Sequence, residues 1–309
     1  MTTEQKTYVL LWHYGSPRTE SEIHEFLSGV VPANKLEVYT ESYTRKYRYV
    51  GGSPQNQQVD ALASKLSLLL TQAGLLTRVS RGTKHWKPSF QESIDQAIQE
   101  GFKQITVVPL VPFASEWLLR EYREAVVRSQ NKLGSDAKVR MVRPYYLESE
   151  YVDGWTKEIL ATNGAPSSSN AESAVVLSFH AIPLARLTAN ETYLAETRQL
   201  AHIISSKLPN IRTELAYQSA ATTSLEWSKP SIVEQIVALG EQGFKKVTVA
   251  PVGFVYDHLE TVFDIDVVLW EAGVFLGVDI TRVPAPGASA WFAQLLCRLV
   301  LETLGVATH

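Results

Sequence analysis

Short apolar runs alternate along the chain with longer segments in which apolar residues recur every three or four positions. The short runs predict strands, and the periodic segments predict helices. In the first half the predicted order is strand 8–12, helix 56–72, strand 76–79, helix 89–99, strand 105–110, helix 118–129 and strand 139–142. The second half gives strand 174–178, helix 192–207, strand 213–217, helix 231–242, strand 247–251, an acidic helix from residue 259, strand 278–283 and a last helix 288–304. The alternation predicts an α/β fold in which helices cover parallel sheets.

The chain also repeats part of its own sequence. Residues 101–110 (GFKQITVVPL) are matched by residues 243–252 (GFKKVTVAPV). A Lys-Pro-Ser tripeptide that precedes a predicted helix also occurs twice, and its two copies are as far apart in the sequence as these two runs. A looser match aligns Tyr14 with His180. A repeat of this length indicates duplicated domains rather than a solenoid of short repeats. We therefore expect two similar Rossmann-like domains that face each other across a cleft.

The length of the chain agrees with two domains. At 309 residues it exceeds what one hydrophobic core normally serves. We predict an N-terminal α/β domain at 1–145, a C-terminal α/β domain at 146–287, and a C-terminal helix at 288–309 that packs back on the domain pair. Because the duplication supplies both walls of a cleft, we expect a monomer.

Composition narrows the class of protein further. The chain is 45% hydrophobic and 20% charged, with a net charge of −3, which is ordinary for a globular protein and gives no sign of a nucleic-acid partner. No apolar run is long enough for a transmembrane segment and no signal peptide is recognisable, so we expect a cytoplasmic protein. The single cysteine, Cys297, cannot by itself hold an iron–sulfur cluster.

Two ionisable residues follow buried strands. His180 follows the apolar strand 174–178 two residues later, and Glu260 follows the run 249–255. In parallel α/β proteins, the carboxyl ends of strands open into the ligand crevice, so both side chains are expected at one site. An isolated histidine is more often a core residue, but the pairing with Glu260 and the match to Tyr14 favour a functional role. Asp257 and His258 are expected to cap and brace the turn.

A histidine, a carboxylate and a phenol form a mixed oxygen and nitrogen set that suits a divalent first-row metal held loosely. Asp264 lies four residues after Glu260, so the two share a helix face, and Asp264 could form an outer metal site or simply a solvated acidic face. Zinc, Walker and dinucleotide-binding motifs are absent from the sequence. The sequence therefore does not support a nucleotide-binding or nicotinamide-dependent enzyme.

Several motifs together resemble those of the ferrochelatases, over nearly the whole chain. They are LLWHYGSP at 10–17, YVGGSP at 49–54, SFHAIP at 178–183, YQS at 217–219, WSKP at 227–230 and PVGFVYDHLET at 251–261. The closest resemblance is to the short, monoderm-type coproporphyrin III ferrochelatases. It implies insertion of Fe²⁺ into coproporphyrin III to give Fe-coproporphyrin in haem biosynthesis, with the metal passing between His180 and Glu260. Tyr14 resembles the tyrosine near the iron on the opposite face.

The resemblance also implies which residues hold the porphyrin. Lys46, Tyr47, Ser53 and Tyr122 fall where coproporphyrin ferrochelatases hold propionates, and Lys84 and His85 flank the same cleft. No permanent cofactor and no iron–sulfur cluster are implied, and the product would pass to the next haem-pathway enzyme.

The sequence departs from the family pattern in the propionate region and beyond Glu260. A basic residue expected near position 31 is absent, Lys46 stands where arginine is common, and Val268 replaces an outer acidic residue. These departures bear on which porphyrin side chains the protein would recognise more than on the metal-insertion reaction. The alternatives are insertion into protoporphyrin IX, a cobalt or nickel chelatase, and a non-catalytic haem- or porphyrin-binding protein.

Overall fold

The computed structural model describes residues 6–133, 137–163, 172–188, 190–220 and 224–306, apart from the side chain of Arg186. Its strands are β1 Thr7–His13, β2 Thr77–Thr83, β3 Gln104–Pro109, β4 Lys138–Met141, β5 Ser173–His180, β6 Arg212–Gln218, β7 Lys246–Ala250 and β8 Asp279–Arg282. Its α-helices are α1 Ile23–Ser28, α2 Leu36–Val50, α3 Gln55–Gln72, α4 Phe90–Gln99, α5 Glu116–Leu133, α6 Ser149–Asn163, α7 Tyr193–Ser206, α8 Ile232–Glu241, α9 Leu259–Phe263, α10 Trp270–Leu276 and α11 Ala290–Leu304. A π-helical segment, Asp264–Leu269, joins α9 to α10.

The strands form two parallel sheets of the same topology. The first sheet has the order β2-β1-β3-β4, and the second has the order β6-β5-β7-β8. All strand pairs in both sheets are parallel, so each connection crosses over through a helix or a long loop. The α/β fold and the duplication predicted from the sequence are confirmed.

The repeated Lys-Pro-Ser tripeptides perform the same structural task in each half. Ser89 Oγ accepts the N–H of Glu92 at 3.2 Å, and Ser231 Oγ accepts the N–H of Glu234 at 3.2 Å. In both cases the glutamate side chain reaches back to the backbone N–H of the serine, which completes a capping box. These serines therefore begin helices α4 and α8 in the same way.

Each sheet has its own hydrophobic core. The central strand β1 is buried along its whole length, as expected for a parallel sheet covered on both faces. The core of the first sheet includes Tyr8, Leu10, Trp12, Ile94, Ile105 and Val107. That of the second includes Val176, Ile236, Val247, Val249 and Ile265. In the described part of the chain, no helix has the length and apolar character needed to cross a membrane.

The chain divides into two compact units that are not simply consecutive. The described residues of 6–111, 119–144 and 287–306 form the first unit, and those of 112–118 and 145–286 form the second. The main boundary falls between Pro144 and Tyr145. Helix α11 belongs to the first unit, in which it packs on α3 and β3. The assignment of 112–118 to the second unit was not anticipated.

Contacts of the segment 112–118 explain why it belongs to the second unit. The Phe113 ring meets the Tyr193 ring edge-on at 5.4 Å. The Glu196 carboxylate, only 5% exposed, accepts the backbone N–H groups of Ala114 and Ser115 at 3.0 and 3.2 Å. A buried carboxylate that accepts several N–H donors fixes the path of the backbone it contacts.

Candidate active site

His180 is the last residue of β5, and its ring has a defined orientation. Nδ1 lies 2.6 Å from the carbonyl oxygen of Ala181, and because a carbonyl can only accept, Nδ1 carries the hydrogen. Nε2 then points to Glu260, with 3.6 Å between Nε2 and Oε2. The hydroxyl of Tyr193 donates to the backbone carbonyl of His180 at 2.9 Å, which anchors the end of the strand. The side chain is 42% exposed, so Nε2 stands at the surface of the second unit.

The surroundings of His180 favour its protonated form. Burial alone would lower the pKa of the ring, but the Glu260 carboxylate, the Ala181 carbonyl and the charge of Asp264 all raise it. The net result is a pKa above the ordinary histidine value. The ring therefore accepts a proton more readily than a free imidazole does.

The turn that leads to Glu260 lies against the strand that carries His180. The N–H of Gly253 donates to the carbonyl of Ser178 at 3.1 Å, and a Cβ at position 253 would be only 3.1 Å from the Cα of Phe179. A side chain at this position would require the Phe179 backbone to move by a few tenths of an ångström. Glycine therefore lets the two backbones lie close together here.

His258 holds the first turn of α9, as the sequence predicts. Its Nδ1 accepts the backbone N–H of Glu260 at 3.1 Å and that of Thr261 at 3.4 Å. Burial, opposed by the Glu260 charge and assisted by the charges of His180 and Arg282, lowers the pKa of His258 to about 4. The ring is therefore neutral near pH 7 and can accept these bonds.

Asp257 is buried, only 4% exposed, and its carboxylate is paired with the guanidinium of Arg282 at 2.5 Å. The expectation that Asp257 braces the turn is confirmed. Arg282, at the end of β8, was not singled out from the sequence. Its only sequence signal is a charged residue at the end of an apolar run, a feature shared with many surface positions.

Asp264 begins the π-helical segment next to this site. Its Oδ2 accepts the hydroxyl of Ser219 at 2.8 Å, and Ser219 has a φ of 62°, which is uncommon for a residue other than glycine. Asp264 also raises the pKa of His180, so the two lie within electrostatic reach. Val268, on the same segment, is 43% exposed.

The His180–Glu260 pair offers few protein ligands to a metal ion. Among the described residues, no group of three or more His, Cys, Asp or Glu side chains is placed to hold one. A nitrogen and a carboxylate bind a first-row divalent ion while leaving most of its coordination positions open. Such a pair suits an ion that is passed on rather than retained.

In the first unit, the structure brings Tyr14, Lys84 and His85 together. The rings of Tyr14 and His85 are 4.5 Å apart, and the N–H of His85 donates to the carbonyl of Tyr14 at 2.9 Å. Burial and the neighbouring Lys84 charge lower the pKa of His85, against a smaller effect of Glu121. Lys84 Nζ is 2.8 Å from the carboxylate of Glu121. Tyr14 is 43% exposed, so its ring is presented at the surface of this unit.

The four residues expected to hold propionates differ in accessibility. Lys46 is half-buried on α2, and Ser53 lines a surface pocket of about 300 Å³ just before α3, although its hydroxyl oxygen is buried. Tyr47 is buried and its hydroxyl donates to the carbonyl of Pro17 at 3.1 Å. Tyr122 is 3% exposed and packs on Trp12 in the core. The packing of both tyrosines was not anticipated, and the part of all four residues in ligand binding stays a prediction.

Comparisons with known proteins address the fold and the family of the chain. The fold is that of the chelatases: a solved structure of SirB from Bacillus subtilis with Fe³⁺ matches with a TM-score of 0.58 and 12% identity, covering 96% of this chain and 95% of that one. The Ferrochelatase family model matches residues 6–304, so the chain belongs to the ferrochelatase family. Coproporphyrin III ferrochelatase of Mycobacteroides abscessus is 28% identical, covering 96% of this chain and 88% of the relative. Ferrochelatase of Thermus thermophilus is also 28% identical, covering 94% and 98%.

Proposed function

We propose that this enzyme inserts Fe²⁺ into coproporphyrin III and so produces Fe-coproporphyrin for haem biosynthesis. The observation that supports this proposal most directly is the His180–Glu260 pair, with 3.6 Å between Nε2 and Oε2, in a chain that belongs to the ferrochelatase family. Relatives named coproporphyrin III ferrochelatase support the choice of porphyrin.

Metal insertion removes two pyrrole protons from the macrocycle as Fe²⁺ enters. His180 and Glu260 supply both functions that this exchange needs, because each can bind a metal ion and each can accept a proton. The raised pKa of His180 favours proton acceptance. The Nδ1–H bond to Ala181 keeps the lone pair of Nε2 directed outward, toward iron or a leaving proton.

Asp264 supports the same step from further along the helix. We assign it the outer metal position, since its carboxylate is held by Ser219 and acts on the charge of His180. An ion that reaches this carboxylate first would meet Glu260 next, four residues earlier along the chain. Val268 supplies no further ligand beyond it.

The residues of the first unit bind the porphyrin in this proposal. Lys46, Tyr47, Ser53 and Tyr122 are all chemically able to donate hydrogen bonds to propionates, although both tyrosines are buried. Tyr14, Lys84 and His85 form a separate polar group in the same unit. No permanent cofactor is needed, and Cys297, the single cysteine of the chain, is buried in α11. The monomeric state, the cytoplasmic location and transfer of product to the next enzyme stay predictions.

The experiment is anaerobic turnover of Fe²⁺ with coproporphyrin III and with protoporphyrin IX in parallel, followed by absorbance. We expect a higher kcat/KM with coproporphyrin III. We also expect Lys46→Met to raise the KM for coproporphyrin III by about tenfold, the effect of losing one charge-assisted hydrogen bond. Lys35→Met, at an exposed position just before α2, is the matched control.

Three outcomes would contradict parts of this proposal. Preference for protoporphyrin IX would overturn the substrate and leave the chelatase reaction. A Lys46→Met enzyme with the KM of wild type would remove Lys46 from the porphyrin site. No turnover with either porphyrin, together with tight binding of both, would favour the non-catalytic binding protein.

A further inference from the structure

Arg282 joins two carboxylates that lie on either side of Glu260 in the sequence. Its Nη1 donates to Asp257 at 2.5 Å, while Nε and Nη2 donate to the two oxygens of Asp266 at 2.8 and 2.9 Å. The Arg282 side chain is only 13% exposed. The guanidinium thus makes a bidentate contact with Asp266 and a single charge-assisted hydrogen bond to Asp257.

The Asp257 end of this network is buried. The carboxylate of Asp257 also lies 3.4 Å from the hydroxyl of Thr261 and 3.4 Å from the N–H of Ala285. Thr261 in turn accepts the N–H of His258 at 2.9 Å, as part of the cap of α9. The Asp257 carboxylate is therefore connected directly to the first turn of the helix that carries Glu260.

The Asp266 end lies in the π-helical segment Asp264–Leu269, which follows α9 without a break. A π-helical turn takes one more residue than an α-helical turn, and such segments occur frequently at functional sites. Asp266 is 39% exposed, and its two oxygens face the same guanidinium. Arg282 therefore fixes the chain just before and just after α9.

We propose that Arg282 is a positioning residue for Glu260: by tying Asp257 to Asp266 it sets where the Glu260 carboxylate stands relative to Nε2 of His180. This inference rests on the proposed function of the His180–Glu260 pair. It assigns no contact between Arg282 and substrate. Its effect on the reaction passes through the orientation of α9.

A purely structural role for Arg282 would give a different pattern of variants. A buried ion pair that serves stability alone matters through the buried partner, Asp257, whose charge would be left without compensation. The half-exposed Asp266 would then matter little. Positioning requires both contacts, so removal of the Asp266 contact alone should alter the site.

The test uses Asp266→Asn and Arg282→Lys in the full chain. Asp266→Asn keeps the Arg282–Asp257 pair, and Arg282→Lys keeps the charge but loses the planar fork. We expect kcat for Fe²⁺ insertion to fall about tenfold to a hundredfold in both, with the KM for the porphyrin unchanged. Asp266→Glu, which restores a carboxylate, should recover most of the loss. The matched control is Glu214→Gln, which breaks the ion pair with Arg212 on β6 in the same unit.

Amide hydrogen exchange provides a readout that does not depend on activity. We expect faster exchange at the N–H groups of Glu260 and Thr261 in Asp266→Asn, with unchanged exchange at Glu234, which has its own cap on α8. Unchanged exchange at 260–261 would overturn the positioning role even if the wild-type enzyme is active. Failure of the proposed function would show separately, as absence of insertion by the wild-type chain. A kcat in Asp266→Asn equal to that of wild type would also overturn the inference.

Discussion

His180 combines a fixed tautomer with a raised pKa. The tautomer comes from the bond between Nδ1 and the carbonyl of Ala181. Burial lowers the pKa of the ring, but the Glu260 carboxylate, the same Ala181 carbonyl and the Asp264 charge together outweigh it. A histidine that must bind a metal ion has to be neutral, so at low pH the proton competes with iron for Nε2.

The Glu260 carboxylate should control the proton affinity of His180. Insertion should rise with pH as His180 loses its proton, over a range above the ordinary histidine pKa of about 6.5. In Glu260→Gln the carboxylate charge is gone while burial remains, so the pKa of His180 should fall. An NMR titration of the His180 ring measures this directly.

Glu241→Gln is the control for this titration, because Glu241 is an exposed residue of α8 in the same unit. It should leave the titration of His180 unchanged. A pKa of His180 that stays the same or rises in Glu260→Gln would contradict the coupling between the two side chains.

Sequence reasoning at the scale of single residues works where the signal is local. His180 follows an apolar run, so its position at the end of a strand could be predicted, and His258 could be predicted as a brace. Glu260 also follows an apolar run, but it lies in the first turn of α9. Arg282 and Ser219 could not, because their importance depends on contacts with residues far away in the sequence. The burial of Tyr122 depends on which face of α5 meets the core.

Helices α4 and α8 show how a duplicated sequence signal produces the same element twice. Both begin at a serine that follows Lys-Pro, and both have a glutamate at the third position of the helix. The predicted bounds 89–99 and 231–242 therefore lie within a residue of the observed helices at both ends. A local capping motif is sufficient to define these starts.

Loss of either capping serine should destabilise its own helix by a similar amount. We expect Ser89→Ala and Ser231→Ala each to lower the free energy of unfolding by about 1 kcal/mol, the usual cost of losing an N-cap. Urea unfolding followed by circular dichroism, with amide exchange in α4 and α8, measures this. Ser64→Ala, at an exposed position inside α3, should cost nothing or stabilise slightly. An equal loss in all three variants would contradict the capping role.

Other elements carry weaker sequence signals. Helix α2 has only Tyr47 buried, so its sequence lacks the apolar stripe from which a helix is predicted. The acidic helix expected from residue 259 is interrupted by the π-helical segment, whose extra residue per turn cannot be recognised in so short a pattern. Such features depend on packing against the sheet and on the Arg282 network.

At the scale of the whole molecule, the internal repeat is the strongest predictor. It predicts two units of the same architecture, and the two sheets have equivalent strand orders, β2-β1-β3-β4 and β6-β5-β7-β8. Residues 112–118 belong to the second unit although the segments before and after them belong to the first. The internal repeat does not predict this. The assignment depends on the buried carboxylate of Glu196, a contact that no local pattern indicates.

The two groups of predicted site residues lie in different units. The second unit carries His180 and Glu260, whereas the first carries Tyr14 and Lys46. In the proposed function, proton and metal transfer therefore depend on the second unit, and porphyrin binding depends mainly on the first. Loss of one task should leave the other largely intact.

The most direct measurement is Fe²⁺ insertion into coproporphyrin III by His180→Ala, with binding of the porphyrin measured in the same preparation. The account predicts that insertion is abolished while the affinity for coproporphyrin III stays within a few-fold of that of wild type. Insertion by His180→Ala at the rate of the wild-type enzyme would contradict the account.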